Sequence, residues 1–283
     1  MTRRSESSHT ASDGITQRRL TWLPDEGIDI RGLVLLSHGL GEHVGRYDHV
    51  ADALTARGFA MSGADHRGHG RSEGLRGHVD GFSQYTADLG RVLDAFRAEH
   101  PDLPVVLYGH SMGGLISLHF NLDRPDHGLA GLALSNPQLG IAFEPPKLKV
   151  AAGRLLSRLL PRLRLGNELS TADLSRDPVE VKKYEDDPLV HGLISTRWFT
   201  SMTAAMERVN AEPQGVQVPA LFLLGASDKI VSAKAAQEFA ARLEPARTTV
   251  KVWPGSYHEP HNDLDRDEVI GTLVDWCEER LTG

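Results

Sequence analysis

Residues 104–123, PVVLYGHSMGGLISLHFNLD, join a short apolar run, a glycine-flanked serine and a helical pattern without interruption. The run at 104–109 is typical of a buried strand, and the apolar spacing of 112–123 predicts a helix. Between them, GHSMG at 109–113 matches G-x-S-x-G, in which a sharp strand-to-helix turn exposes a nucleophilic serine. A glycine-rich turn with a surface serine is the alternative, but the flanking strand and helix favour Ser111 as a nucleophile.

Five further apolar runs are typical of buried strands, and helical patterns lie between several of them. The runs are 31–37, 59–64, 129–135, 219–225 and 248–253, and the helical patterns are 45–57, 82–100, 233–243 and 264–281. Strands that are apolar throughout and alternate with helices predict a mostly parallel central sheet with helices on both faces. The predicted fold class is therefore α/β.

The alternation is interrupted over 136–213, which holds amphipathic helical pieces and no clear buried strand. An insertion of this length inside a parallel sheet often has a function of its own, so we expect a helical lid or cap. A helical excursion that only packs is the alternative. The core then consists of 15–135 and 214–283, and residues 1–14, which are polar, are expected to form a flexible tail.

Composition narrows the classes of protein to consider. The chain has 283 residues, 40% of them hydrophobic and 24% charged, which are values of a globular protein. Its net charge of −7 argues against a nucleic-acid-binding protein, which is usually basic. The single cysteine, Cys277, cannot form a disulfide within the chain and fits a reducing cytoplasm. No apolar run is long enough to span a membrane, and no secretory signal is apparent.

A nucleophilic serine needs a histidine base and a carboxylate that orients the base. In hydrolases with a G-x-S-x-G turn, the order along the chain is serine, acid, histidine. Asp228 follows the strand at 219–225 and His258 follows the next strand at 248–253, so both are expected at the sheet edge where ligands bind. His261 is an alternative base, and capping of the following helix is an alternative role for Asp228.

An early glycine-rich loop, HGLGEH at 38–43, follows the first of these strands. Loops of this type supply one amide of an oxyanion hole, and we expect Leu40 to donate together with Met112. The loop lacks the spacing of a phosphate-binding motif, and no H-E-x-x-H supports zinc binding by His38 and His43. We therefore predict neither a metal nor an organic cofactor.

With these residues identified, the sequence resembles the monoacylglycerol lipase family of α/β-hydrolases over about residues 34–262. The motifs that carry the resemblance are HGLGEHVGRY at 38–47, DHRGHGRSEG at 65–74, GHSMGG at 109–114, SRDP at 175–178, YEDDPLVHG at 184–192, GASDKIV at 225–231 and GSYHEPHND at 255–263. The resemblance implies an α/β-hydrolase fold that cleaves monoacylglycerols to glycerol and fatty acid through an acyl-enzyme. Its functional positions fall on a triad, two oxyanion amides and a group around the glycerol head, namely Ser111, Asp228 and His258; Leu40 and Met112; and Glu42, Arg46, Tyr184 and His261.

Two departures from the family pattern limit what the resemblance implies. Cysteines near the site of mammalian relatives are replaced by His191 and Val231, and an Asn-Glu pair of many bacterial relatives reads His261-Asn262-Asp263 here. A lysophospholipid or a small ester is therefore an alternative substrate for the same triad. Two different classes also stay open, a non-catalytic binding protein of the same fold and a lipid-surface adaptor.

A basic, leucine-rich segment lies inside the predicted insertion. KLKVAAGRLLSRLLPRLRL at 147–165 has leucines at helical spacing and six lysine and arginine residues, with no acidic residue between Glu144 and Glu168. Such a helix is typical of segments that lie on a lipid or anionic surface. The alternative is a lid helix whose leucines pack on the sheet domain. The segment thus has two interpretations, packing inside the protein and transient contact with a membrane. We expect the protein itself to be cytoplasmic.

Overall fold

The computed structural model describes residues 2–143 and 146–282, so the first residue of the predicted tail and two residues of the predicted insertion lie outside it. Its strands, in chain order, are β1 (Arg3–Thr10), β2 (Thr16–Leu23), β3 (Gly32–Ser37), β4 (Phe59–Ala64), β5 (Val105–His110), β6 (Gly131–Ser135), β7 (Arg164–Gly166), β8 (Leu193–Ser195), β9 (Ala220–Gly225) and β10 (Thr248–Trp253). Its helices are α1 (Asp48–Ala56), α2 (Ser83–Glu99), α3 (Met112–Asp123), α4 (Lys147–Leu159), α5 (Pro178–Asp186), α6 (Thr196–Ala211), α7 (Ala233–Ala240) and α8 (Arg266–Leu281).

Eight strands form one sheet in the order β1-β2-β4-β3-β5-β6-β9-β10, and β7 pairs with β8 separately. Six neighbouring strands of this sheet, β4-β3-β5-β6-β9-β10, are parallel to one another. At one edge, β2 pairs antiparallel with β4, and β1 pairs antiparallel with β2. Successive residues of β3 point to opposite faces, Leu33 and Leu35 toward α2 and α3, and Val34 and Leu36 toward α1 and α8. Burial on both faces explains the continuous apolar runs of β3, β4, β5, β6 and β9. The prediction of a buried strand at 248–253 is wrong, because β10 lies at the edge of the sheet and most of its residues are exposed or half-buried. The predicted α/β class is confirmed.

The predicted flexible tail is wrong, because residues 3–10 form β1 and pair with β2 along their whole length. The side chains of β1 are exposed at almost every position, so the strand has no apolar alternation for a sequence pattern to detect. Ion pairs hold it in place, with Arg4 Nη1 2.7 Å from Asp48 Oδ2 and Arg18 Nη2 2.9 Å from Glu6 Oε2.

The predicted insertion lies between β6 and β9 and contains α4, the β7–β8 pair, α5 and α6. The last of these helices buries Trp198, Met202 and Val209 in the core beside α3. In contrast, α4 contacts α6 on the side that carries Gly153 and Ser157, with Ser157 Oγ 2.7 Å from Thr200 Oγ1. No helix in the described part of the chain is long and apolar enough to cross a bilayer.

Candidate active site

The turn between β5 and α3 places Ser111 at the carboxyl edge of the sheet. Its backbone has φ 52° and ψ −118°, a conformation that costs a residue with a side chain about 1–3 kcal/mol. The neighbouring glycines permit this turn, because a Cβ on Gly113 would overlap the carbonyl oxygen of Ser37. The amide of Ser111 donates to the carbonyl oxygen of Ser135 at 3.0 Å, which joins the turn to β6.

The side chains of Ser111, Asp228 and His258, which follow three different strands, meet at this turn. His258 Nε2 lies 3.0 Å from Ser111 Oγ, and His258 Nδ1 lies 2.7 Å from Asp228 Oδ2. The other carboxylate oxygen of Asp228 accepts the amides of Ile230 and Val231 at 2.7 and 3.0 Å. The carboxylate is thus held by its own loop while it accepts a hydrogen bond from Nδ1–H of His258, which leaves Nε2 free to accept the serine proton.

The electrostatic environment of His258 favours that arrangement. Burial disfavours the charged ring, but the attraction and hydrogen bond of the Asp228 carboxylate outweigh burial and raise the pKa of His258. The alternative role of Asp228 as a helix cap does not hold, since the N-cap of α7 is Ser232, whose hydroxyl accepts the Ala235 amide at 3.1 Å.

The loop after β3 lies beside the serine, and two amides near it lack acceptors. A Cβ on Gly39 would stand 3.5 Å from the Cβ of Ser111. Among the described residues, the amides of Leu40 and Met112 donate to no protein acceptor. Unpaired amides beside a nucleophile are what stabilisation of a developing oxyanion requires.

Behind this loop, one arginine bridges two buried carboxylates. Arg46 Nη1 lies 2.8 Å from Glu42 Oε2, and the guanidinium contacts both oxygens of Glu259 at 2.7 and 2.6 Å. Burial raises the pKa of Glu42, whereas Arg46 overcomes burial at Glu259 and holds its pKa well below the usual range. The outer face of the Arg46 guanidinium lies 4.7 Å from the ring centre of Tyr184.

His261, the alternative base, lies away from the serine. Its ring stacks on Tyr47 with centroids 4.9 Å apart and meets the edge of His110 at 4.8 Å. Neither ring nitrogen has a hydrogen-bond partner among the described residues, and burial lowers the pKa of His261 to about 3. The ring is therefore neutral and has no contact with Ser111 that proton transfer would need.

A cavity of about 380 Å³ opens over Ser111 and His258, between the sheet edge and the insertion. Its wall has an apolar part and a polar part. The apolar side chains are Leu40, Leu169, Leu174, Val190, Ile230 and Val231, and the polar ones include Glu42, Gln138, Asn167, Thr171, Tyr184, Glu185 and Asp187. Of the four residues expected around a head group, Glu42 and Tyr184 line the cavity, and Arg46 and His261 lie behind its wall.

Sequence patterns missed a residue that connects three parts of the site. Asn136 follows β6 directly, and its side-chain amide donates to the carbonyl oxygens of Tyr257 and His258 at 3.0 and 2.9 Å. Its Oδ1 accepts the amide of Gly225, at the end of β9, at 3.0 Å. An amide side chain directly after a buried strand is the signal that could have identified it.

Contacts between the insertion and the glycine-rich loop at 38–43 were also missed. The amide of His191 donates to the carbonyl oxygen of Gly41 at 2.8 Å, and His43 Nε2 lies 2.8 Å from Asp187 Oδ2. These contacts join segments about 150 residues apart in sequence, so no local pattern could have predicted them. The insertion is therefore connected to the loop that carries Leu40.

The chain is similar to known proteins over almost its whole length. Residues 28–265 match the Hydrolase_4 family, described as serine aminopeptidase S33. The chain is 31% identical to a monoacylglycerol lipase of Mycolicibacterium smegmatis over 98% of both chains. It is 34% identical over 98% of its length to an uncharacterized abhydrolase domain-containing protein of Dictyostelium discoideum, of which it spans only 29%. The crystal structure of the Paleococcus ferrophilus monoacylglycerol lipase superposes with a TM-score of 0.84, at 30% identity and 99% coverage of each chain.

Proposed function

Because the chain belongs to the serine aminopeptidase S33 family and is a carboxylic ester hydrolase, we propose that it hydrolyses monoacylglycerols to glycerol and free fatty acids. The observation that carries the proposal is the continuous hydrogen-bonded series Asp228–His258–Ser111, with distances of 2.7 and 3.0 Å, at the floor of a cavity. The mixed lining supports a substrate with an alkyl chain and a hydroxylated head.

In the proposed reaction, Ser111 Oγ attacks the ester carbonyl carbon while His258 Nε2 takes the hydroxyl proton. The Leu40 and Met112 amides donate to the resulting oxyanion, and Asp228 stabilises the imidazolium. The bond to the glycerol oxygen then breaks, and His258 returns the proton to that oxygen. A water molecule hydrolyses the acyl-enzyme through the same proton transfers in reverse and releases the fatty acid.

Of the four residues expected around the head group, the two that line the cavity are assigned the head-group contacts. We place the glycerol hydroxyls against Glu42 and Tyr184, whose oxygen atoms can accept and donate hydrogen bonds. Arg46 then acts from behind the wall, because its guanidinium is already bonded to Glu42 and Glu259. His261 supports the same wall by packing on Tyr47.

A substrate panel with Ser111→Ala as control tests the proposal. Monoacylglycerols of several chain lengths are compared with lysophosphatidylcholine and p-nitrophenyl esters by kcat/KM. We expect monoacylglycerols to give the highest values and Ser111→Ala to lose about a thousandfold or more in kcat. Preference for lysophosphatidylcholine would instead favour a lysophospholipase. A folded wild-type protein that hydrolyses none of these esters would be a binding protein of the same fold.

We further propose that the segment 147–165 lies on an anionic lipid surface while the enzyme works. Leu148, Leu155 and Leu159 are 83%, 58% and 67% exposed, whereas the small residue Ser157 faces α6. Lys147, Arg154 and Arg158 lie around Leu155 on the same surface, and their positive charges suit anionic head groups. The exposure weighs against the alternative in which these leucines pack on the sheet domain.

Vesicle flotation at low and high salt tests this contact. We expect binding to anionic vesicles that weakens with salt, because charge attraction is screened. Replacing Leu148, Leu155 and Leu159 by Gln should reduce binding but preserve hydrolysis of a water-soluble p-nitrophenyl ester. Failure of the wild-type protein to bind anionic vesicles at low salt would refute the proposed lipid contact of segment 147–165. A Ser111→Ala variant that binds vesicles like the wild type, when the wild type hydrolyses none of the esters, would favour a lipid-surface adaptor.

A further inference from the structure

A short segment of the insertion, residues 173–177, runs beside the loop at 255–263 that carries His258. The amide of Glu259 donates to the carbonyl oxygen of Leu174 at 2.8 Å, and the His258 amide approaches the Asp173 carbonyl oxygen at 3.4 Å. Further along, a serine hydroxyl at position 175 donates to the carbonyl oxygen of residue 262 at 2.8 Å. The backbone on both sides of the histidine is therefore bonded to the insertion.

Asp263, the last residue of this loop, bonds back to the start of the loop. Its side chain is fully buried, and Oδ2 accepts the amide of Tyr257 at 2.6 Å and approaches the hydroxyl of Ser256 at 3.3 Å. Oδ1 accepts both the amide and the Nε–H of Arg176 at 3.0 Å each. A single carboxylate thus bonds the start of the loop to the insertion.

Arg176 completes the connection from the other side. Its Nη2 lies 2.5 Å from Asp265 Oδ2, and its guanidinium packs so closely on Gly255 that a Cβ there would stand 2.7 Å from Nη1. Neither Arg176 nor Asp263 lines the cavity, and neither contacts Ser111 or Asp228 among the described contacts. Any effect of the pair on the reaction must therefore be indirect, through the loop that carries His258 or through the cavity residues Leu174 and Glu259 beside it.

We propose that Asp263 and Arg176 are positioning residues for the general base, an inference that rests on the proposed function. His258 must keep one nitrogen 2.7 Å from Asp228 and the other 3.0 Å from Ser111, and its loop is fixed at both ends by the buried carboxylate. A displacement of about 1 Å in such a constellation can cost about a hundredfold in rate. The pair also makes the geometry of the base depend on the position of segment 173–177.

The test compares Arg176→Gln with Arg266→Gln by time-resolved labelling with a fluorophosphonate. In this reaction Ser111 Oγ forms a bond to phosphorus, fluoride leaves, and His258 takes the hydroxyl proton. Arg266 is a matched control because it also forms ion pairs that tie the insertion to the rest of the protein, at Asp177 Oδ2 and Glu180 Oε1. Among the described contacts, its side chain has none with the histidine loop. A misplaced base lowers the labelling rate, whereas partial unfolding lowers the final labelled amount.

For Arg176→Gln we expect full final labelling at a rate lowered by roughly 10- to 100-fold, with kcat reduced in parallel and KM changed less than about twofold. Arg266→Gln should label within about twofold of wild type, and Arg176→Lys should recover part of the rate, since lysine keeps the charge beside Asp263. Asp263→Asn provides a second variant that disturbs the same loop.

Three results would overturn the inference in distinguishable ways. Wild-type labelling rates in both Arg176→Gln and Asp263→Asn would show that the pair does not position the base. A lowered final amount with an unchanged rate would assign the pair a purely structural role. Failure of the folded wild-type protein to label, or labelling of Ser111→Ala, would instead refute the proposed function on which the inference depends.

Discussion

Replacing Asp228 by asparagine tests the proposed triad with one exchanged atom. Oδ1 of Asp228 is fixed by two amide donors, those of Ile230 and Val231, so the asparagine oxygen must occupy that position. The new NH₂ group then faces His258 Nδ1, where a proton acceptor stood at 2.7 Å. To avoid two opposed donors, the imidazole must shift its proton to Nε2, and it can no longer accept the proton of Ser111.

We expect Asp228→Asn to lower kcat by about ten-thousandfold, or about 5.5 kcal/mol in barrier, as loss of the reactive tautomer does in other serine hydrolases. KM should change little because Asp228 does not line the cavity. The residual activity carries a second signature in its pH dependence. The carboxylate raises the pKa of His258 against burial, so its removal lowers that pKa and moves the acid limb of kcat/KM to lower pH.

The assay is ester hydrolysis from pH 4 to 9, with circular dichroism to verify folding. Asp88→Asn is a suitable control, because Asp88 is also a buried carboxylate but pairs with Arg67 far along the chain from the triad. The control should lose stability and keep its acid limb. A folded Asp228→Asn protein with less than about a tenfold loss in kcat would refute the reasoning from tautomers.

Three further predictions follow from single contacts. Gly113→Ala should lower the free energy of unfolding by about 1–3 kcal/mol in urea titration, because its Cβ would overlap a carbonyl oxygen of β3. Asn136→Ala should cost about 1–3 kcal/mol for its unpaired backbone partners and lower kcat measurably, since the loop of His258 loses two hydrogen bonds. Arg46→Met should cost about 3–5 kcal/mol at pH 7. That difference should shrink as the pH falls, because without Arg46 burial raises the pKa of Glu42 and Glu259, and their protonation relieves the unpaired charge.

The parallel part of the fold was predictable because five of its six strands are buried on both faces and are therefore apolar, whereas β10 at the edge is largely exposed. The antiparallel edge was not, since β1 is exposed and β2 places Gln17, Arg18 and Arg19 in buried positions that only their ion pairs and hydrogen bonds explain. Chain order likewise identified Ser111 and the residues now bonded to it, because each follows a strand at the same edge of the sheet.

Other features of the site depend on contacts that no local pattern contains. The positions of Arg46 and His261 behind the cavity wall follow from a carboxylate pair and an aromatic stack formed by distant segments. The orientation of α4 was equally undetermined, because its leucines and its small residues both recur at helical spacing. The contact between Ser157 and Thr200 decides which side faces the protein.

The first strand has a practical consequence for anyone who shortens this protein. Residues 3–10 cover the outer hydrogen-bonding groups of β2, whose TQRRLTWL sequence would otherwise offer an unsatisfied backbone to any other chain. A truncation that begins at residue 12 to remove an apparently dispensable polar leader would thus create a template for self-association. Protein that keeps this strand, with any purification tag attached through a flexible linker, should give the more monodisperse preparation.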